Sequence, residues 1–237
     1  MNRGSLWAFV FVCAAVNSAG ASIRITEFMS EGQGLTGPGT GANRQREFFE
    51  LTNLGDTAVD ISGWSYNDNN ANDPLNFGDS FGLVAPHESI ILTQMVPADF
   101  RSYWGLNTSV RIYSFGNLSN LGNADTINIY NSATQNSGTL VDSLTYTSDL
   151  RGSGISRNRP YGGDGQSPNS AWVDSKVGDA YGSYLAPNPI FPPGVEYIDL
   201  ANPGVYAVPE PSTIALGVVG VATLIARVAR RRVCGRG

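Results

Sequence analysis

Charge is scarce in this chain. Only 15% of its 237 residues are Asp, Glu, Lys or Arg, where a soluble domain carries about a quarter. There is one Lys (Lys176), one His (His87) and two Cys, Cys13 and Cys234. Both Cys lie near the ends, so residues 22–208 contain none. One His and no Cys leave that stretch without the ligand sets of zinc sites or the nucleophile of thiol catalysis. The shortage of Lys and the net charge of -5 argue against a nucleic-acid partner, which needs cations for its phosphates. Long apolar runs are also missing: the two longest, 6–16 and 214–226, fall short of the roughly 20 residues a stable membrane span needs.

What is plentiful is glycine (28) and proline (13), with Asn, Ser and Thr between short apolar runs. That composition favours strands joined by many turns over helices. The length suffices for a real core. Period-2 alternation recurs at Ile23–Phe28, Val59–Ile61, Val110–Tyr113, Thr126–Tyr130 and Leu140–Tyr146, the pattern of half-buried strands. Ser89–Thr93 is apolar on both faces and suits a central strand. Turn signals at Asn53–Asp56, Ala85–Glu88, 117–123 and Asn136–Gly138 separate them. One helix is predicted over Pro97–Gly105, with Pro and Asp in its first turn, Gly at its end, and Phe100, Tyr103 and Trp104 on one face. The glycine-rich stretches 30–46 and 157–169 are predicted as mobile loops.

The ends have their own logic. Residues 1–21 have the build of a secretory signal: Arg3, an apolar core from Leu6 to Val16, and small residues before a cleavage point between Ala21 and Ser22. Phe11-Val12 before Cys13 is not a lipidation context. At the other end, Val208-Pro209-Glu210-Pro211-Ser212-Thr213 precedes the apolar run Ile214–Ala226 and the cluster Arg230-Arg231-Arg232. Ser212 can cap a helix that the prolines introduce. As a short transmembrane helix it would place the arginines in the cytoplasm and the rest of the chain outside. This tail resembles the PEP-CTERM sorting signal. The resemblance implies export, cleavage by an exosortase-type membrane protease, transient anchoring in the inner membrane, and a final place at the cell surface or in the extracellular matrix of a biofilm-forming bacterium. Retention as a permanent anchor is the alternative. With both ends removed, the domain keeps 9 basic and 19 acidic residues, a much more acidic body than the whole chain. Such a charge leaves cations, neutral polysaccharide or basic surface proteins as partners.

Three blocks lie between the ends: Ile25-Thr26-Glu27-Phe28, Glu47-Phe48-Phe49-Glu50-Leu51-Thr52-Asn53-Leu54-Gly55 and Val59-Asp60-Ile61-Ser62-Gly63-Trp64. In this order they resemble a lamin tail domain, which implies an immunoglobulin-like β-sandwich. Leu83–Ser89 resembles that family's L-x-P-G-E-S turn, with His87 where glycine is usual. The expected organisation is a signal helix (1–21), an all-β sandwich core with one short helix (22–150), a Gly/Pro-rich extension packing on or linked to it (151–206), and the sorting signal with its short transmembrane helix (207–237). Trp64 is expected to place its indole between the sheets.

Candidate chemistry is thin. His87 sits in a turn with no evident nucleophile, so a surface role is expected and no catalytic residue is assigned. Glu47 and Glu50, three apart on a strand, point to opposite faces. They cannot form a local acid pair, and hydrogen bonds to nearby loops account for them. Asp68, Asn70 and Asp73 offer oxygen donors of the kind calcium takes. The loop lacks the EF-hand template, and Asx-turn chemistry accounts for the same residues. No other cofactor is expected. Tyr161, Tyr181 and Tyr184 could stack on sugars or serve as packing. The expected function is a non-enzymatic, structural or adhesive surface protein. Its partners would be secretion machinery, the exosortase-type protease, and exopolysaccharide or other surface proteins. The alternatives are a calcium-stabilised binding module and, behind it, a surface hydrolase.

Overall fold

The structure is a computed structural model. It describes residues 23–33, 46–68, 74–116, 121–122, 124–148, 152–160, 172–188 and 198–206. The predicted signal peptide, the residues of the sorting signal, Tyr161, Asn70 and Asp73 lie outside these.

The described chain is mostly β with one helix. Its larger sheet has six strands. In spatial order they are β12 (Val173–Asp174), β11 (Arg157–Asn158), β1 (Ile23–Met29), β2 (Phe48–Asn53), β7 (Ser89–Thr93) and β8 (Arg111–Ser114). All neighbours are antiparallel except β7 and β8, which run parallel. A second sheet of four strands orders as β10 (Leu140–Tyr146), β9 (Asp125–Tyr130), β4 (Ser65–Asn67) and β5 (Leu75–Asn76). Two short ribbons, β3 (Val59–Asp60) with β6 (Leu83–Val84) and β13 (Tyr184–Leu185) with β14 (Leu200–Ala201), complete the set.

The two main sheets share one apolar core. Ile23, Ile25, Phe28, Phe49, Leu51, Ile90 and Leu92 from the six-stranded sheet meet Tyr66, Ile127, Ile129, Leu144 and Tyr146 from the other. The rings of Phe49 and Tyr66 lie 4.7 Å apart, and those of Phe28 and Tyr146 4.9 Å. Strict alternation does not allow Ile25 and Phe28, three residues apart, to share a face. A bulge resolves this. Ile25 pairs with Leu51 and Glu27 with Glu50, leaving Thr26 as the extra residue. Thr26 and Glu27 therefore both lie on the second face, while Phe28 returns to the core.

That second face is also buried. At one end Met29, Phe48, Ile91 and Ile112 form a smaller core with the helix α1 (Pro97–Trp104) and with Ala186 and Ala201. The helix matches expectation. Pro opens it, Phe100, Tyr103 and Trp104 are buried, and Gly105 ends it at φ 63°, the left-handed cap that glycine makes without strain. Residues 151–206 contribute directly to the sheet: β11 pairs with β1 and β12 with β11.

Two expectations need correction. Trp64 is not a fully buried indole: it sits just ahead of β4, half-buried and packed against the inter-sheet core, and Tyr66 takes the fully buried place. Arg157–Asn158, expected within a mobile loop, form strand β11. His87 holds φ 61°, in the left-handed region where a side chain is disfavoured. That conformation suits the glycine usual at this turn.

Phe49 is fully buried between the sheets. Phe49→Ala should cost about 3–5 kcal/mol, read as a lower denaturant midpoint with an unchanged slope.

Candidate functional site

Thr26 and Glu27 from the bulge face Glu50 and Thr52 of β2 on the second face. Glu27 and Glu50 are direct cross-strand partners, and both are fully buried. Each accepts a backbone N–H from one short segment near the end of the fold. Asn202 N–H donates to Glu27 Oε1 at 2.8 Å, and Gly204 N–H donates to Glu50 Oε2 at 2.7 Å. Hydroxyls complete the shell. Thr26 Oγ1 and Thr52 Oγ1 donate to Glu50 Oε1 at 2.7 and 3.1 Å, and Ser156 Oγ donates to Glu27 Oε1 at 2.5 Å. Neither carboxylate has an Arg or Lys partner among the described residues.

The electrostatics follow. Burial pushes the Glu27 carboxyl well above its ordinary value of 4.5, and the neighbouring Glu50 carboxyl pushes it further. Burial raises Glu50 as well, against the hydrogen bonds from Thr26, Gly204, Ser89 and Thr52, which pull it down. The folded protein thus holds these protons to a higher pH than the unfolded chain.

Two buried ion pairs tie residues beyond the two main sheets' own strands to the sandwich, one through Asp199 and one through Arg159. Arg46 Nε lies 2.6 Å from Asp199 Oδ2, both fully buried. Asp199 also accepts from Tyr103 Oη at 2.9 Å and from Gln33 N–H at 2.7 Å. Gly154, at φ 68°, lies against Asp199 and Gln33 where a Cβ would collide. The second pair is Arg159 with Asp142, 2.8 Å apart. Asp142 Oδ2 also accepts the Ile25 N–H at 2.8 Å. Tyr206 ends the described chain with its hydroxyl donating to the Arg159 carbonyl at 3.2 Å.

The other sequence candidates fall into place. Glu47 and Glu50 do act separately. Glu47 Oε2 accepts the Leu121 N–H at 2.9 Å, while Glu50 closes on residue 204. His87 is exposed, with Asp56 3.9 Å away. Tyr181 is buried, beside Tyr206. Tyr184 packs edge-on against Trp104 at 5.7 Å and donates to its carbonyl. Both tyrosines take part in packing. Asp68 is half-buried, and its two companions lie outside the described residues. Among the described residues no three His, Cys, Asp or Glu converge as a metal cluster, and no helix is long and apolar enough to cross a membrane. The Glu27–Glu50 pair and the Arg46–Asp199 pair were not foreseen. A partial signal existed, since the I-x-E and E-L-x-N blocks are both strand sequences with an inward acid.

The mostly-β described chain, with two packed sheets and one helix, is consistent with an immunoglobulin-like β-module. Residues 16–148 match the Lamin Tail Domain family, more than half of the chain, and the chain belongs to that family. Residues 207–232 match the PEP-CTERM protein-sorting motif, which marks an exported, cell-surface protein. No curated protein matches the chain.

Two outcomes test this geometry. In chelator-treated buffer, the contribution of Glu27 and Glu50 to stability is fully present below the unfolded value near 4.5. It is lost as pH rises through the higher folded values, so the urea midpoint should fall from acid toward neutral pH. Glu27→Gln should flatten that slope. Arg46→Ala leaves Asp199 buried without its cation and should cost about 3–5 kcal/mol, seen by denaturation and by earlier proteolysis of the C-terminal segment.

Proposed function

We propose that this chain is a non-enzymatic exported β-sandwich with a structural or adhesive role at the cell surface or in the extracellular matrix. A signal peptide delivers it. The C-terminal apolar helix holds it briefly in the inner membrane with Arg230, Arg231 and Arg232 on the cytoplasmic side. An exosortase-type protease then processes it near Pro209-Glu210-Pro211. Exopolysaccharide or another surface protein is the partner.

One observation carries this reading: the match to the sorting motif begins at residue 207, next to Tyr206, whose hydroxyl donates to the Arg159 carbonyl. Both cores, the Glu27–Glu50 network and the two buried ion pairs are built from residues that precede the tail. The non-enzymatic part rests on how the acids are used. Glu27, Glu47, Glu50, Asp142 and Asp199 each accept buried hydrogen bonds that hold segments together, which leaves them unsuited to proton transfer with a substrate.

Changing Pro209 and Glu210 to Ala in the native host should leave the protein larger and in the membrane fraction. Unchanged mass and unchanged location would count against processing at this motif.

A further inference from the structure

The short ribbon near the end of the fold has an outward apolar face. Leu185 on β13 is the direct partner of Leu200 on β14. Leu200 also pairs, in parallel, with Ile155. There Leu200 N–H donates to the Gly154 carbonyl at 2.7 Å, and Ser156 N–H donates to the Leu200 carbonyl at 3.0 Å. Directly paired residues point to one face, so Leu185, Leu200 and Ile155 form a row across three segments. The ladder runs on past β14, with Ala186 N–H donating to the Asp199 carbonyl at 2.9 Å. Alternation then puts Ile198 on the same face as Leu200. The residues between them turn inward: Ser156, Asp199 and Ala201 are fully buried. The outward row is open. Leu185 is 49% exposed and Ile198 52%, while Leu200 and Ile155 are half-buried. None of the four is charged. Single exposed aliphatics are ordinary on a soluble domain, whereas a contiguous row marks an interaction surface.

The place of the row along the chain says what it meets. Tyr206 follows Leu200 by six residues. Its ring lies 6.4 Å from that of Tyr181, just ahead of β13, and its neighbour Val205 is 56% exposed. Only seven residues, 207–213, separate Tyr206 from the apolar run that begins at Ile214. Fully extended, they reach roughly 25–30 Å. A body of this size is roughly 40 Å across, from an expected radius of gyration of about 16 Å. A tether shorter than the body is wide keeps the side beside Tyr206 turned toward the membrane. It also holds that side at an effective concentration on the order of millimolar, so a contact too weak for a free domain suffices. The acidic body gains nothing from lipid headgroup charge, which leaves apolar contact as the attraction.

We propose that Leu185, Ile198, Leu200 and Ile155 rest on the outward-facing leaflet of the inner membrane while the tail is in place. The domain then docks on lipid and holds the Pro209-Glu210-Pro211 segment at the bilayer surface, within reach of a membrane protease. Cleavage ends the tether and with it the docking, so the domain leaves. This inference rests on the reading that the tail is inserted before processing.

The test uses the full chain with Cys13 and Cys234 changed to Ser. A polarity-sensitive fluorophore is attached through Ile198→Cys or, on the other sheet, through Ser137→Cys in the exposed β9–β10 turn. Each chain is reconstituted into phosphatidylcholine vesicles with and without a nitroxide-labelled lipid, and flotation reports insertion. The expected result is that both chains float and that the nitroxide quenches the label at 198 and spares the label at 137. Leu185→Asp in the Ile198→Cys chain should float equally and lose most of that quenching. Both side chains point outward, so neither change disturbs a core. Equal quenching at the two positions in floating chains, or quenching at 198 that survives Leu185→Asp, overturns the docking and leaves insertion intact. Chains that do not float overturn both. A label at 198 that becomes shielded without lipid as protein concentration rises, and that the nitroxide lipid does not reach, means that a second copy of the chain covers the face and overturns the proposal equally.

Discussion

The bulge at Thr26 is the constraint on which the rest of the structure depends. One extra residue lets Ile25 and Phe28 face the same core and turns Thr26 and Glu27 together to the opposite face. Without it, Glu27 could not stand beside Glu50 while both apolar neighbours stayed buried. Glu27 and Glu50 then give the second face a polar centre, which needs donors. The chain supplies them from its own late segment, through Asn202 and Gly204. A local irregularity in the first strand thereby determines where residues 202–204 must lie, about 175 positions further on.

Much of the fold was legible because its signals are local. Alternation marks strands wherever one face is buried. The helix announces itself through Pro97, Asp99 and Gly105, all within a single turn of where they act. The polar cluster on the second face was not legible, for a reason of distance. Asp199 is 153 residues from Arg46, and no periodicity links them. Glu50 drew attention through Glu47, its neighbour in sequence. Its true companion is Glu27, its neighbour across the ladder. Trp64 misled because sandwich cores often use a buried tryptophan, but here the strand begins only after it, at Ser65. At His87 the sequence showed only that a glycine was missing from its usual place, and the structure supplies the backbone reason, a positive φ.

The absence of cysteine from residues 22–208 sharpens the role of the buried ion pairs. A disulfide constrains the unfolded chain; an ion pair acts only once the fold exists. Arg46–Asp199 and Arg159–Asp142 add little net stability compared with apolar replacements, since desolvation offsets their attraction. Breaking one leaves a buried charge with no partner, which is costly. Their effect is therefore on specificity. They penalise any arrangement in which residues 199 and 159 are out of place, and so fix the late segment in one position over the sandwich.

That fixed position lies next to the sorting motif. Tyr206 is held by the Arg159 carbonyl, and its ring lies beside Tyr181. Asn202 and Gly204 are held by the acid pair. The matched sorting motif begins at residue 207, directly after these contacts. The same arrangement separates two kinds of charge. The arginine cluster lies in the tail, whereas the buried carboxylates lie in the domain. Processing of the kind proposed would release a more acidic body that carries this network with it, a property that suits a surface module whose sorting and folding are independent steps.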